Sequence, residues 1–255
     1  MNEQVIFTEN NILCADRVTV AGTGDVKILD DISFTIKAGE KVALIGENGA
    51  GKSTLLMSLI GITPIESGII HVNQIVLNKK NLTKIRTEAG VVFQNPDDQL
   101  FMPKVYDDIA FGPRNSGVGE AEINNRVDDV LEKLGISHLR DRMTGKLSGG
   151  EKRRIAIATV LVMEPSILLF DEPSSFLDPK SRRLLIKELS SLKHTQFIAT
   201  HDLDLALEVC DRVIILQNGK IRAEGNAKDI LTNRVLLEEF GLELPLSFSE
   251  MADLK

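Results

Sequence analysis

The sequence predicts an α/β fold with a mostly parallel sheet, an antiparallel β portion at its N-terminal end and a helical insert in the middle. Three observations predict it. The short continuous apolar runs Val42-Ala43-Leu44-Ile45, Ile167-Leu168-Leu169-Phe170 and Phe197-Ile198-Ala199-Thr200 are what parallel strands covered on both faces require. Helical patterns separate the later runs, and strand–helix alternation is how parallel strands are connected. The residues before position 80 instead carry short strands joined by tight turns.

In chain order, Val18-Thr19-Val20, Ile28-Leu29 and Ile32-Ser33-Phe34-Thr35-Ile36 read as strands, with turns at Gly22-Thr23-Gly24 and Lys37-Ala38-Gly39. After the run ending at Ile45, Leu55-Leu56-Met57-Ser58-Leu59-Ile60 has a helical pattern. Residues 68–72 and Ile75-Val76-Leu77 form a hairpin around Asn73-Gln74, and Gly90-Val91-Val92-Phe93 is a further strand. From Asn95 to about residue 147 turn formers, including Pro103 and Gly112-Pro113, alternate with helical patterns, notably Glu120 to Leu134. Helices then follow over 150–163, 180–192 and 203–210, each leading into a strand. Asn218-Gly219 turns the last strand, Val213 to Leu216, back into Ile221. Helical segments containing Ile230, Leu236 and Leu237 precede a tail after Pro245.

The 255 residues are 43% hydrophobic and 26% charged, ordinary values for a soluble protein with a sizeable core. Net charge is −7, with lysines and arginines scattered, so nucleic acid is not expected as a partner. Cys14 and Cys210 each lie in apolar surroundings and read as buried structural thiols of a reducing compartment. Met1-Asn2-Glu3-Gln4 lacks a basic and apolar leader, and no run approaches the ~20 apolar residues of a membrane span. A cytosolic chain is expected, with any membrane role supplied through a partner.

The stretch Gly46-Glu47-Asn48-Gly49-Ala50-Gly51-Lys52-Ser53-Thr54 fits G-x-x-x-x-G-K-[ST], between an apolar strand and a helix. Glycines let successive backbone N–H groups face a phosphate chain, and the helix N-terminus adds positive potential. Lys52 is suited to the β- and γ-phosphates and Ser53 to Mg²⁺. At the C-terminal end of a buried strand, where open α/β sheets bind ligands, stand Asp171 and Glu172. Asp171 is suited to holding Mg²⁺, and Glu172 to polarising an attacking water. Leu147-Ser148-Gly149-Gly150-Glu151 opens a helix. Ser148 and Glu151 have the spacing of a capping box, and the same hydroxyl and glycine amides could face an anion; spacing alone leaves both open.

Together these stretches resemble the motifs of ATP-binding cassette (ABC) ATPases, with Leu147 to Glu151 as the signature. The other family motifs follow in order: Gln94 as the Q-loop glutamine, Ser174-Ser175-Phe176-Leu177-Asp178 as the D-loop, and His201 as the switch histidine. The resemblance covers nearly the whole chain. It implies a P-loop NTPase core with a helical signature subdomain at about 95–163, an ATPase domain over 1–240 and a short tail over 241–255. It also implies head-to-tail pairing of two copies, or of this chain with a paralogue. Ser148, Gly149 and Gly150 of one subunit, with Asp178, would then complete the ATP site built on the other's phosphate loop. His201 would meet the γ-phosphate, and Gln94 would join the metal site to a transmembrane partner.

One departure concerns the base. The family stacks adenine on an aromatic residue ahead of the phosphate loop, but here that region reads Val18-Thr19-Val20-Ala21-Gly22-Thr23-Gly24. Val20 or a neighbour is expected to supply an apolar contact instead, leaving the preference for ATP over GTP open.

The residues after Gln94, Asn95 to Phe101 and Asp107 to Pro113, and the later Phe240-Gly241-Leu242-Glu243-Leu244-Pro245, resemble the energy-coupling ATPases of ECF-type importers, which take up cobalt, nickel or vitamins. That resemblance implies a transmembrane coupling protein, a substrate-capture membrane subunit and a peripheral position on the inner face of the cell membrane. The alternative is a non-transport ABC ATPase of repair, chromosome or translation. Those types carry long coiled-coil or zinc-bearing insertions, or two cassettes; this chain has one cassette, no heptad run and no cysteine cluster. Intact Lys52, Asp171, Glu172 and His201 argue against a module that binds without hydrolysing.

Overall fold

The computed structural model describes residues 8, 10–24 and 26–248; Met1 to Gln4 and the tail residues 249–255 lie outside them. The chain begins with a long antiparallel pair, β1 (Asn11–Ala21) and β2 (Lys27–Lys37). β3 (Lys41–Ile45) leads through the glycine loop into α1 (Lys52–Leu59). The hairpin β4 (Ser67–Val72) and β5 (Ile75–Val76) follows, with β4 against the other edge of β1 to give the order β2-β1-β4-β5. Asn73 and Gln74 both have positive φ, 43° and 67°, as a two-residue hairpin turn of this hand needs. α2 (Leu82–Glu88) and β6 (Ala89–Val92) come next. α3 (Val105–Asn115), α4 (Glu120–Lys133) and α5 (Gly149–Leu161) form the helical region. β7 (Ile167–Asp171), α6 (Pro179–Ser191), β8 (Thr195–Ala199), α7 (Leu203–Val209), β9 (Arg212–Gln217) and β10 (Lys220–Asn226) complete the second sheet, and α8 (Ala227–Leu231) and α9 (Arg234–Glu239) follow.

That second sheet has the order β10-β9-β3-β8-β7-β6 and is parallel except for β10 against β9. Its strands β3, β7, β8 and β9 are buried on both faces with strict alternation. Ala43, Ile45, Leu168, Phe170, Ile198, Val213 and Ile215 face a core shared with the helices. Val42, Leu44, Ile167, Leu169, Phe197, Ile214 and Leu216 face a second core closed by α1 and the antiparallel sheet. Phe34 and Phe197 meet across that second core at 5.2 Å between ring centroids. Arg212 ties the sheets together by donating from Nε to Glu40 at 2.6 Å and from Nη2 to the Thr35 carbonyl at 2.5 Å. Among the described residues no helix is long and apolar enough to cross a membrane.

Three local expectations change. Ile28-Leu29 and Ile32 to Ile36 are one strand, not two: Asp31 takes φ 58° and the register against β1 shifts beside it, so a bulge hides the continuity. α2 has no counterpart in the sequence reading, because only Ile85 of its seven residues is buried and no amphipathic period shows. Gly112-Pro113 is not a turn but part of α3. Pro113 sits in the last turn, and a Cβ on Gly112 would lie 2.8 Å from the Met163 sulfur, so close packing explains the glycine.

Candidate functional site

The glycine loop leaves β3 between its two parallel neighbours, β8 and β9, and enters α1. Its glycines have different reasons. Gly51 holds φ 105°, which a side chain resists, and a Cβ on Gly46 would lie 2.1 Å from the Leu216 carbonyl oxygen. α1 has no side-chain cap and no acidic residue in its first turn, so its leading N–H groups and dipole stay directed at the loop. Lys52 is 6% exposed. Its ammonium donates to the Gly46 carbonyl at 2.8 Å and the Glu47 carbonyl at 3.2 Å, and lies 3.5 Å from Glu172.

β7 delivers the two carboxylates. Ser53 Oγ donates to Asp171 Oδ1 at 3.0 Å. Burial raises the Asp171 carboxyl above its ordinary value, and the Glu172 carboxylate adds to this; the Ser53 hydrogen bond and the Lys52 and Arg153 cations oppose it. A hydroxyl and one buried carboxylate already in contact form a hard-oxygen pair suited to a Mg²⁺ ion that keeps most of its waters. Glu172 stands in the left-handed region at φ 46°, a strained conformation for this residue. The strain turns its side chain from the strand axis toward β8: its N–H donates to the Ala199 carbonyl at 2.8 Å, and its Oε2 lies 2.7 Å from His201 Nδ1 and accepts the His201 N–H at 3.2 Å.

Apart from Asp171, which reaches it only through Ser53, these groups surround one cavity of about 1290 Å³, lined along the loop by Gly46, Glu47, Asn48, Gly49, Gly51, Lys52, Ser53 and Thr54, and beyond it by Gln94, Glu172 and His201. Ala50 departs from the expectation. Its methyl is buried in the second core and its N–H is turned back to Glu47, so it does not line the cavity. Val20 is corrected as well. It is 1% exposed within the second core and presents no face to a ligand; Ile28 on β2, 38% exposed, lines the cavity instead.

Ser148, Gly149, Gly150 and Asp178 are absent from this lining. Ser148 and Glu151 form the capping box of α5, each satisfying the other's backbone N–H. Gly150 packs on α6, where a Cβ would lie 2.6 Å from Ser181 Oγ. Asp178 caps α6 by accepting from the N–H groups of Lys180 and Ser181, both at 3.0 Å. Between these stretches lies a smaller cavity of about 190 Å³ that includes Gly149, Arg153 and Phe176, and Phe176 is 85% exposed.

Three contributors escaped the sequence reading. Arg153, 1% exposed in α5, donates to the Phe93 carbonyl at 2.6 Å and the Gln94 carbonyl at 2.5 Å, fixing the end of β6. Gln99 holds the same turn by accepting the Phe93 N–H and donating to Ala156 and Thr159 of α5. Residues 241–247 line the cavity mouth, where Asp204 accepts the N–H groups of Leu246 and Ser247. Nothing in one sequence announces these contacts, since all but the Gln99–Phe93 pair join residues more than forty positions apart.

Comparison with known proteins matches the ABC transporter family over residues 29–175. The chain is 45% identical over 223 residues to the energy-coupling factor transporter ATP-binding protein of Carboxydothermus hydrogenoformans, covering 86% of this chain and 82% of that one. It is 44% identical over 240 residues to the cobalt import ATP-binding protein of Rhodobacter capsulatus, covering 92% and 86%. The solved structure of CbiO1 from Clostridium perfringens, part of the ABC transporter complex CbiONQ, superposes with a TM-score of 0.83 at 38% identity, covering 95% of this chain and 99% of that one.

Proposed function

The chain belongs to the ABC transporter family as an ATP-binding and ATP-hydrolysing subunit, and on that premise we propose that it powers an ECF-type importer by paired closure and reopening over ATP. Two relatives named for energy coupling and for cobalt import support the importer type. Membrane partners follow from the same likeness: a transmembrane coupling protein and a substrate-capture subunit, with this chain peripheral on the inner face of the cell membrane. The cargo is a metal ion or a vitamin, selected by the membrane subunit.

One observation carries the paired arrangement. The phosphate loop, Gln94, Glu172 and His201 line one cavity, while Ser148 and Asp178 stand outside it. A second subunit is what would bring a signature hydroxyl and glycine amides to this cavity, either a second copy or a paralogue. On this reading 1–240 is the ATPase domain, with its helical part at about 95–163.

The loop amides and Lys52 would bind the phosphates, and Ser53, Gln94 and Asp171 would hold Mg²⁺. Bound there, the ion would supply charge screening for the phosphates. Glu172 takes a proton as the water oxygen attacks the γ-phosphorus, and the bond to the bridging oxygen breaks to release ADP and phosphate. His201 orients Glu172 through the 2.7 Å contact and contacts the γ-phosphate.

The test is Glu172→Gln, which keeps the shape and removes the base. Turnover is expected to fall at least about 100-fold, and an ATP-bound dimer should accumulate on size exclusion. Wild-type turnover would remove Glu172 from the role of base.

A further inference from the structure

Asp202 follows His201 directly and caps α7 by accepting the Leu205 N–H at 3.0 Å. The same carboxylate receives both arms of Arg182: Nε donates to Oδ2 and Nη2 to Oδ1, each at 2.6 Å. Ser174 hydrogen-bonds it as well, and the Asp202 N–H donates to Thr200 Oγ1 at 3.0 Å. Arg182 lies one turn into α6, whose first residues are capped by Asp178. The pair is partly shielded, with side chains 32% and 12% exposed, and Arg182, Asp202, Ser174 and His201 all line the large cavity. One carboxylate thus joins three segments: the start of α6 through Arg182, the loop from Ser174 to Asp178, and the loop that carries His201.

A parallel two-bond fork fixes direction as well as distance, and an ammonium cannot reproduce it. We propose that Arg182 is a positioning residue for ATP hydrolysis: by holding Asp202 it fixes the backbone that presents His201, so the imidazole's place depends on where the start of α6 sits. Movement at the exposed Phe176, the face open to a second subunit, would reach His201 through these bonds. The inference rests on His201 acting at the γ-phosphate, as proposed above.

The test compares Arg182→Met and Arg182→Lys in the full chain, alone and with His201→Ala, by ATPase kinetics, binding of a non-hydrolysable ATP analogue and thermal melting. Arg182→Met is expected to lower kcat about 10- to 30-fold while KM for ATP and analogue affinity stay within about threefold, and Arg182→Lys should recover part of the loss. Added to His201→Ala, Arg182→Met should cost no more than about a further twofold, because the two act through one group. Unchanged kcat in Arg182→Met, or a full additional loss in the double variant, overturns the inference. A purely structural role would instead lower the melting temperature and the binding stoichiometry with kcat per bound site preserved, and that also overturns it. Should Arg182→Met fail to fold, Arg182→Lys decides alone: a selective kcat loss supports the inference, and wild-type kinetics overturn it. Wild-type turnover in His201→Ala overturns the underlying reading as well; a dead His201→Ala beside a fully active Arg182→Met overturns only this one.

Discussion

Glu172 shows how one backbone angle organises chemistry. With φ at 46° its carboxylate leaves the strand axis, and a single oxygen lies within hydrogen-bond reach of both the ring and the backbone N–H of His201. At the other end of the cavity the chain offers Ile28, an aliphatic side chain of β2 that lines it. Ile28→Tyr is therefore expected to tighten ATP binding by about 1 kcal/mol, roughly fivefold, and to widen the gap between ATP and GTP, as read by equilibrium titration. Unchanged affinity for both nucleotides would move the base away from β2. The motif residues were legible in the sequence because the chemistry dictates both residue type and offset: a lysine and a hydroxyl after the last loop glycine, paired carboxylates at a strand end. Val20 misled because linear distance from the loop does not reveal which side of β1 faces inward. Arg153, Gln99 and Arg182 were not legible, since each acts on a group brought near only by the fold.

At the scale of an element, α5 begins with a reciprocal cap. Ser148 holds the Glu151 carboxyl below its ordinary 4.5, first through its backbone N–H and then through its hydroxyl. A carboxylate whose pKa is lower in the folded state adds stability above its unfolded value, and that contribution is lost as pH falls through the folded one. The melting temperature of Glu151→Gln should therefore lie below wild type at pH 6 and converge with it below about pH 4. A constant difference across that range would assign the effect to shape rather than charge. Without nucleotide, Ser148→Ala should cost about 1 kcal/mol in denaturant titration. Strands buried on both faces and helices with a clear apolar stripe could be read in advance. The bulge at Asp31, the seven-residue α2 and the proline in the last turn of α3 could not, because backbone register and local packing decide them.

The whole molecule has two cores on either side of one sheet; Cys210 lies in the core shared with the helices, and Cys14 is buried on β1 outside both. Cys14 is 1% exposed and Cys210 8%, and neither forms a disulfide. Burial, and then Asp16, push the Cys14 thiol up to about 11; burial, and then Asp211, push that of Cys210 higher still. Both should resist iodoacetamide at pH 8 in the native protein and react together on unfolding, as mass spectrometry along a urea series would report. Labelling of Cys14 ahead of Cys210 would show that the antiparallel sheet opens separately.

The strand order also sets a timetable for biosynthesis. β3 reaches the ribosome exit early, yet its neighbours in the sheet are Thr195–Ala199 and Arg212–Gln217. At about 5–20 residues per second, the chain as far as Gln217 must emerge before the phosphate loop acquires the two flanking strands that hold its shape. A nascent chain halted before residue 195 carries every residue of the loop without the scaffold to aim them, and the loop's frame closes only once β9 has emerged.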